Sequence, residues 1–163
     1  MYRLTESFPY LVNRVGVRMG EVFSRRLEAY GVTLPMYRVM AALRMQGDQR
    51  LGDLAEVTSV EMSTLSRLIS TMVARKLVSR QRPEDNGRAV EINLTAQGSS
   101  LVEELMPLAV QHEALALRGF TREESERLKR DLVRVFENLV AFESEIGESH
   151  DERPPPGDVG QKA

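Results

Sequence analysis

Apolar residues near the start of the chain recur with a helical period. Phe8, Val12, Val15, Met19 and Val22 step by 4, 3, 4 and 3, which lines them up on one seam of coiled-coil type. The pattern predicts a long first helix over residues 8–30, closed by Gly31 as a C-cap. Thr33 and Pro35 suit the N-cap and first turn of a second helix carrying Tyr37, Val39, Met40, Ala41 and Leu43, which Gly47-Asp48 ends. A short helix over 52–58 is expected to bury Leu54 and Ala55. After a tight break at 58–60 comes SVEMSTLSRLI (59–69). At about 100° per residue, Leu65, Leu68, Ile69, Met72 and Val73 fall in one arc there. Ser63, Thr64, Ser66, Arg67, Ser70, Thr71 and Ala74 fall in the opposite one.

Beyond Lys76 the period changes. Residues 77–82 and 89–95 read as two strands, the second alternating Val90, Ile92 and Leu94 with Glu91, Asn93 and Thr95. Asn86-Gly87 supplies the turn of a hairpin with a charged tip. Thr95 is placed to cap a fifth helix over 96–119 with Leu101, Leu105, Leu108 and Leu115, which Pro107 is expected to kink. Thr121-Arg-Glu-Glu124 is a capping box for a sixth. Its apolar residues Leu128, Leu132, Val135, Leu139, Phe142 and Ile146 step by 4, 3, 4, 3 and 4. Residues 148–163, polar and Pro-rich, are expected to form a disordered tail. Two seams at opposite ends of a chain with its own central core favour packing between subunits: Phe8, Val12 and Val15 on one, Leu132, Val135, Leu139 and Phe142 on the other.

The hydroxyl-rich face at 63–71 needs its own reason. Ser and Thr are mediocre helix formers, and an ordinary solvated face uses Glu, Lys, Arg or Gln. Short side chains let a helix backbone approach a partner closely, while an arginine among them can donate two hydrogen bonds to guanine in the DNA major groove. A solvated surface of poor propensity is the plain alternative, and the hairpin that follows weighs against it.

Charge and composition narrow the picture. The chain has 163 residues, 42% hydrophobic and 28% charged, which suits one globular domain. Its net charge of −2 argues against a polyanion partner until its distribution is seen. Residues 1–100 carry 14 Lys and Arg against 10 Asp and Glu, and residues 101–163 carry 8 against 14. Between 61 and 88 there are six cations (Arg67, Arg75, Lys76, Arg80, Arg82, Arg88) and three acids, a balance that suits phosphate contact. The absence of cysteine excludes disulfides, thiolate metal sites, cysteine nucleophiles and thiol-oxidation switches. Two histidines, His112 and His150, supply a transition-metal site poorly. No glycine-rich phosphate loop or acid–base constellation points to an enzyme, so neither cofactor nor metal is expected. No apolar run reaches the length of a membrane span and the N-terminus lacks a secretory layout, so a cytoplasmic protein without a membrane partner is expected.

Short helix, tight break, helix with a small polar face, then hairpin is the order of a winged helix-turn-helix. From Arg50 to Gly98 the S-T-x-S-R-L core, the helix end ARKLVSR, the hairpin acid and arginine, and the L-T-x-x-G exit follow one another at the spacing of the MarR family of dimeric bacterial transcription factors, which the chain resembles over about residues 8–146. The resemblance implies a mainly α fold with a small β-hairpin wing. One domain, 1–147, would comprise a winged lobe (33–95), a connecting helix (96–119) and dimerisation helices (8–30 and 121–146). It implies a homodimer on a near-palindromic double-stranded operator. Ser63, Thr64, Ser66 and Arg67 would face bases and phosphates from the recognition helix, Arg88 would enter the minor groove and Asp85 would shape the wing, a plain turn charge being the alternative for Arg88. Apart from the resemblance, Ser70 shares that helix face, and Arg80 and Arg82 read equally as phosphate contacts or as strand-surface cations. This loop reads Asp-Asn-Gly-Arg, one residue longer between acid and arginine than in many members, which leaves an Asp85–Arg88 pair open.

The family reading implies a repressor released from its operator by a small organic effector, such as an aromatic carboxylate or its CoA ester. Asn13, Arg14, Arg18, Tyr37, Met40 and His112 are candidates to line its pocket, although for each of them surface or core packing is as good a reading. His112 reads better as a satisfied polar group of its helix. The rival class is a winged-helix adaptor that binds protein alone.

Overall fold

The computed structural model describes residues 3–82 and 90–151. A 3-10 turn, Leu4–Glu6, precedes α1 (Phe8–Leu27), and a second, Glu28–Tyr30, follows it. Gly31 then takes a left-handed φ of 62°, which any Cβ would oppose. In α2 (Leu34–Gln46) the Thr33 hydroxyl accepts from the Met36 amide at 3.4 Å, and Pro35 sits where its missing N–H costs nothing. Then come β1 (Gln49–Arg50), α3 (Leu51–Thr58), α4 (Met62–Ala74), β2 (Val78–Gln81), β3 (Glu91–Leu94), α5 (Ala96–Ala116) and α6 (Arg122–Asp151). The described residues fall into two compact units, one ending at Ala116 and the other holding α6.

In the first unit β3 is the central strand of an antiparallel sheet of order β1-β3-β2, pairing Gln49 with Ile92 on one side and Arg80 with Ile92 on the other. Helices pack against the sheet. Leu27 from α1, Val39 and Met40 from α2, Leu54 from α3, Leu65, Ile69 and Met72 from α4, Val78 and Ile92 from the sheet, and Val102 and Leu105 from α5 form one buried core. The outward seam of α1 takes no part in it: Phe23 and Leu27 turn inward while Phe8, Val12 and Val15 stay exposed. In the second unit Thr121 and Glu124 form the reciprocal box expected of them. The Thr121 amide donates to Glu124 Oε2 at 2.7 Å and the Glu124 amide to Thr121 Oγ1 at 3.2 Å. Two hydrogen bonds, from the Thr121 amide first and then from its hydroxyl, hold Glu124's carboxyl below its ordinary range.

Several expectations are corrected. The sheet has a third strand, β1, whose two residues are too few to show a period. Asn93, expected on the solvent side of β3, is 8% exposed because β3 is covered on both faces, while Val90 lies outside the strand at 36%. Val73 sits at the edge of the apolar arc of α4, also at 36%, and Ala55 is half-buried. Helix α5 stops at Ala116 rather than 119, and Leu115 is exposed. Helix α6 continues to Asp151, into the stretch read as tail, because the first helix breaker is Pro154. The hairpin tip, with Asp85, Asn86, Gly87 and Arg88, and residues 152–163 lie outside the described residues.

The joint between sheet and α5 is tight. Thr95 Oγ1 accepts from the Gly98 amide at 3.0 Å, and a Cβ on Gly98 would lie 1.9 Å from the Leu77 carbonyl oxygen. Gly98→Ala should therefore destabilise by about 3 kcal/mol or more, since backbone must move to admit it. Gly16→Ala, within α1 and with nothing within 4 Å of the new methyl, should stabilise by about 0.4–1 kcal/mol. Urea unfolding of the two variants should give midpoint shifts of opposite sign.

Candidate nucleic-acid interface

The turn into α4 is set by Ser59, left-handed at φ 53°, with the Val60 amide donating back to the Ala55 carbonyl at 3.1 Å. Glu61 is the N-cap. Its Oε1 accepts from the Ser63 amide at 2.9 Å, and its Oε2 accepts from the Thr64 amide at 3.0 Å and from the Ser63 hydroxyl. These bonds satisfy donors that a helix start leaves open and place a negative charge at the positive end of its dipole. They hold the exposed Glu61 carboxyl down at about 2, the Ser63 hydroxyl bond contributing most and the two backbone N–H bonds next.

Leu65, Ile69 and Met72 are wholly buried, so Ser63, Thr64, Arg67 and Ser70 stand in solvent with Ser66 half-exposed beside them. Arg80 reaches this face from β2. Its Nη2 donates to Ser70 Oγ at 2.9 Å and, at 3.5 Å, to the Ser66 carbonyl, while Ser70 Oγ donates to that same carbonyl at 2.9 Å. Ser70 thus has its proton and one lone pair occupied within the protein, and its hydroxyl holds the Arg80 guanidinium against this face. Arg67, and Arg82 just past β2, are exposed, and no hydrogen bond or ion pair among the described residues engages their guanidinium groups. Arg75, counted among the local cations, turns away and donates to the Gly31 carbonyl at 2.7 Å.

The structure therefore brings Ser63, Thr64, Ser66, Arg67, Ser70 and Arg80 together on one surface. Asp85 and Arg88 lie outside the described residues. In the charge pattern Glu61 is only one of three acids that offset nearby cations. The available signal was an acid directly before a helix with hydroxyl residues at its second and third positions.

The candidate effector residues do not form one site. Asn13, Arg14 and Arg18 share an open groove along α1 with Tyr10 and Val17, and Arg18 pairs with Glu21 at 3.1 Å. Met40 is fully buried, a core residue rather than a pocket liner. Tyr37 and His112 meet instead at Phe23: the Tyr37 ring stands edge-on to it with centroids 5.0 Å apart, and the His112 imidazole stacks on it at 5.1 Å. Burial raises the Tyr37 hydroxyl above its ordinary value. His112 Nε2 is buried with no hydrogen-bond partner among the described residues, so His112 is not the satisfied polar group expected of it.

Comparisons with known proteins agree on the class. The family model for the transcriptional regulator SarA/Rot matches residues 21–105, half of the chain. The HTH-type transcriptional repressor IacR of Pseudomonas putida is 25% identical over 135 residues, 82% of this chain and 81% of that protein. Among solved structures, BpsR of Bordetella bronchiseptica, whose DNA binding is regulated by 6-hydroxynicotinic acid, superposes with a TM-score of 0.76 at 27% identity, covering 83% of this chain and 96% of that one. A MarR-family regulator from Silicibacter pomeroyi gives 0.75 at 26%, covering 84% and 92%.

The cap on α4 sets a pH prediction. A carboxyl depressed from 4.5 to about 2 contributes stability that is complete above pH 4.5 and fades as pH falls towards 2. A carboxyl-detected NMR titration should find Glu61 half-protonated near pH 2. A midpoint above pH 4 would show that the cap does not hold in solution.

Proposed function

The chain belongs to the SarA/Rot family of transcriptional regulators and is a MarR-type winged-helix, DNA-binding regulator rather than an enzyme, and from that premise we propose that it is a repressor released from its operator by a small organic effector. The observation that carries the DNA-reading part is the free Arg67 guanidinium, exposed among short side chains on the solvent face of α4. Arg67 reads base edges, Ser63, Thr64 and Ser66 give the helix close access to the groove, and Arg80 and Arg82 meet phosphates, with Arg88 in the minor groove and Asp85 shaping the wing. A protein-only adaptor would have no use for a cation fixed over a hydroxyl-rich helix face.

We further propose that the active form is a homodimer built on residues 1–147, since operator half-sites are read in pairs. Support comes from seams without an intramolecular role in the core: Phe8, Val12 and Val15 on α1, and Leu132, Leu139 and Phe142 on α6, are 42–60% exposed, with Val135 half-buried among the latter. For the effector, the support is the Phe23–Tyr37–His112 cluster with its orphaned imidazole nitrogen, together with the regulation of BpsR by an aromatic acid. His112 Nε2 is the partner for a carboxylate or ring hydroxyl of a ligand admitted beside it. Such a ligand lowers operator affinity only as far as it prefers the subunit arrangement that does not match half-site spacing.

Arg67→Ala should cost about 1–3 kcal/mol of specific DNA binding and relax base preference at one position per half-site. Arg80→Ala should weaken all sequences alike and lower the salt dependence by about one counterion. Adding Ser70→Ala to Arg80→Ala should change little, because Ser70 acts through Arg80. Fluorescence-anisotropy titrations against salt measure all three, and an Arg67→Ala protein with intact operator affinity would refute the base-reading role. For the effector, 6-hydroxynicotinic acid is the first probe. It should raise the melting temperature of the wild type but not of His112→Phe, which keeps the stacking and removes the nitrogen; an equal rise in both would dismiss the site.

A further inference from the structure

A serine hydroxyl at a base edge is normally ambiguous, since it can donate to a carbonyl or ring nitrogen or accept from an amino group. On α4 that freedom is removed. An ionised carboxylate accepts hydrogen bonds and donates none, so in the contact between Ser63 Oγ and Glu61 Oε2 the serine must supply the proton. What Ser63 turns towards solvent is then its lone pairs. Resting on the proposal that α4 enters the major groove, we propose that Glu61 is a specificity-determining residue, acting through Ser63. By holding the hydroxyl proton, Glu61 makes Ser63 an obligate acceptor that selects an exocyclic amino group, adenine N6 or cytosine N4, on the strand it faces.

Three further observations support the assignment. The same carboxylate takes the Ser63 and Thr64 amides at 2.9 and 3.0 Å, so its position is fixed from three directions. It stays charged where a polyanion raises carboxyl values, because its own is held near 2. It also fills the amide cradle at the helix start that would otherwise attract a DNA phosphate, which leaves phosphate contact to side chains such as Arg80. Donors and acceptors are therefore sorted on this face: Arg67 donates, Ser63 accepts.

The test is selection of the full-length protein on a randomised duplex library, run for wild type, Glu61→Gln, Glu61→Asp and each of these with Ser63→Ala. Wild type should favour adenine or cytosine over guanine or thymine at one position of each half-site by about 2- to 12-fold, the range of one neutral hydrogen bond. In Glu61→Gln the amide oxygen can still cap the backbone while its NH2 donates to Ser63. That releases the serine proton, so the preference should shift to guanine or thymine. Glu61→Asp, still a carboxylate, should keep the wild-type preference, and Ser63→Ala should erase it in every background. If Glu61→Gln binds no DNA, the comparison of Glu61→Asp with and without Ser63→Ala decides. An unchanged profile in Glu61→Gln, or a Ser63-dependent preference for guanine or thymine in wild type, overturns the proposal while leaving operator reading intact. A wild type that selects no sequence at all overturns the reading beneath it.

Discussion

Leu65, Ile69 and Met72 recur at steps of four and three along α4, and each is wholly excluded from solvent. Burying such side chains is worth roughly 1.5–3 kcal/mol apiece. Only one rotation of the helix about its axis achieves all three, because a turn of one residue, about 100°, would lift them out of the core and push in Ser66 and Ser70, or Thr64 and Thr71. The core contact therefore decides what the opposite face shows. Every later feature of the surface, from the exposure of Arg67 to the reach of Arg80, depends on that fixed rotation.

The outward face is also held from within. Ser70 and Thr71 donate to the carbonyls one turn back, at 2.9 and 3.1 Å, and Ser63 donates to Glu61. Such back-bonding competes with helix structure and makes these residues poor helix formers in isolation. Here tertiary burial supplies the helix stability, and the hydroxyls are left to orient polar groups. A long cation fixed in this way loses less freedom on meeting a partner than a free one does.

Much of the fold was legible because it rests on local chemistry. Thr33, Thr95 and the Thr121–Glu124 box act at the ends they mark, and the period of the apolar residues located the long helices and the second hairpin strand. What stayed hidden depends on contacts distant in sequence. Strand β1 exists only because β3 pairs with it, and Asn93 is buried only because both faces of β3 are covered. The grip of Ser70 on Arg80 joins residues on different elements, and the isolation of His112 Nε2 follows from its stacking on Phe23. The candidate interface was legible as a list of residue types. Which of them read and which position others was not, because that division is a matter of who holds each proton.

Thr95 accepts one amide proton from α5 and gives its own to the carbonyls of Lys76, just past the end of α4, and Leu77, just before β2, while its amide also donates to Leu77 at 3.2 Å. With Gly98 pressed against the same Leu77 carbonyl, there is no free volume in which α5 can swing independently of that corner. Such a junction transmits displacement without backlash. In mechanical terms α5 is the lever, the corner at 76–77 the fulcrum, and the hydroxyl of a single threonine the pin.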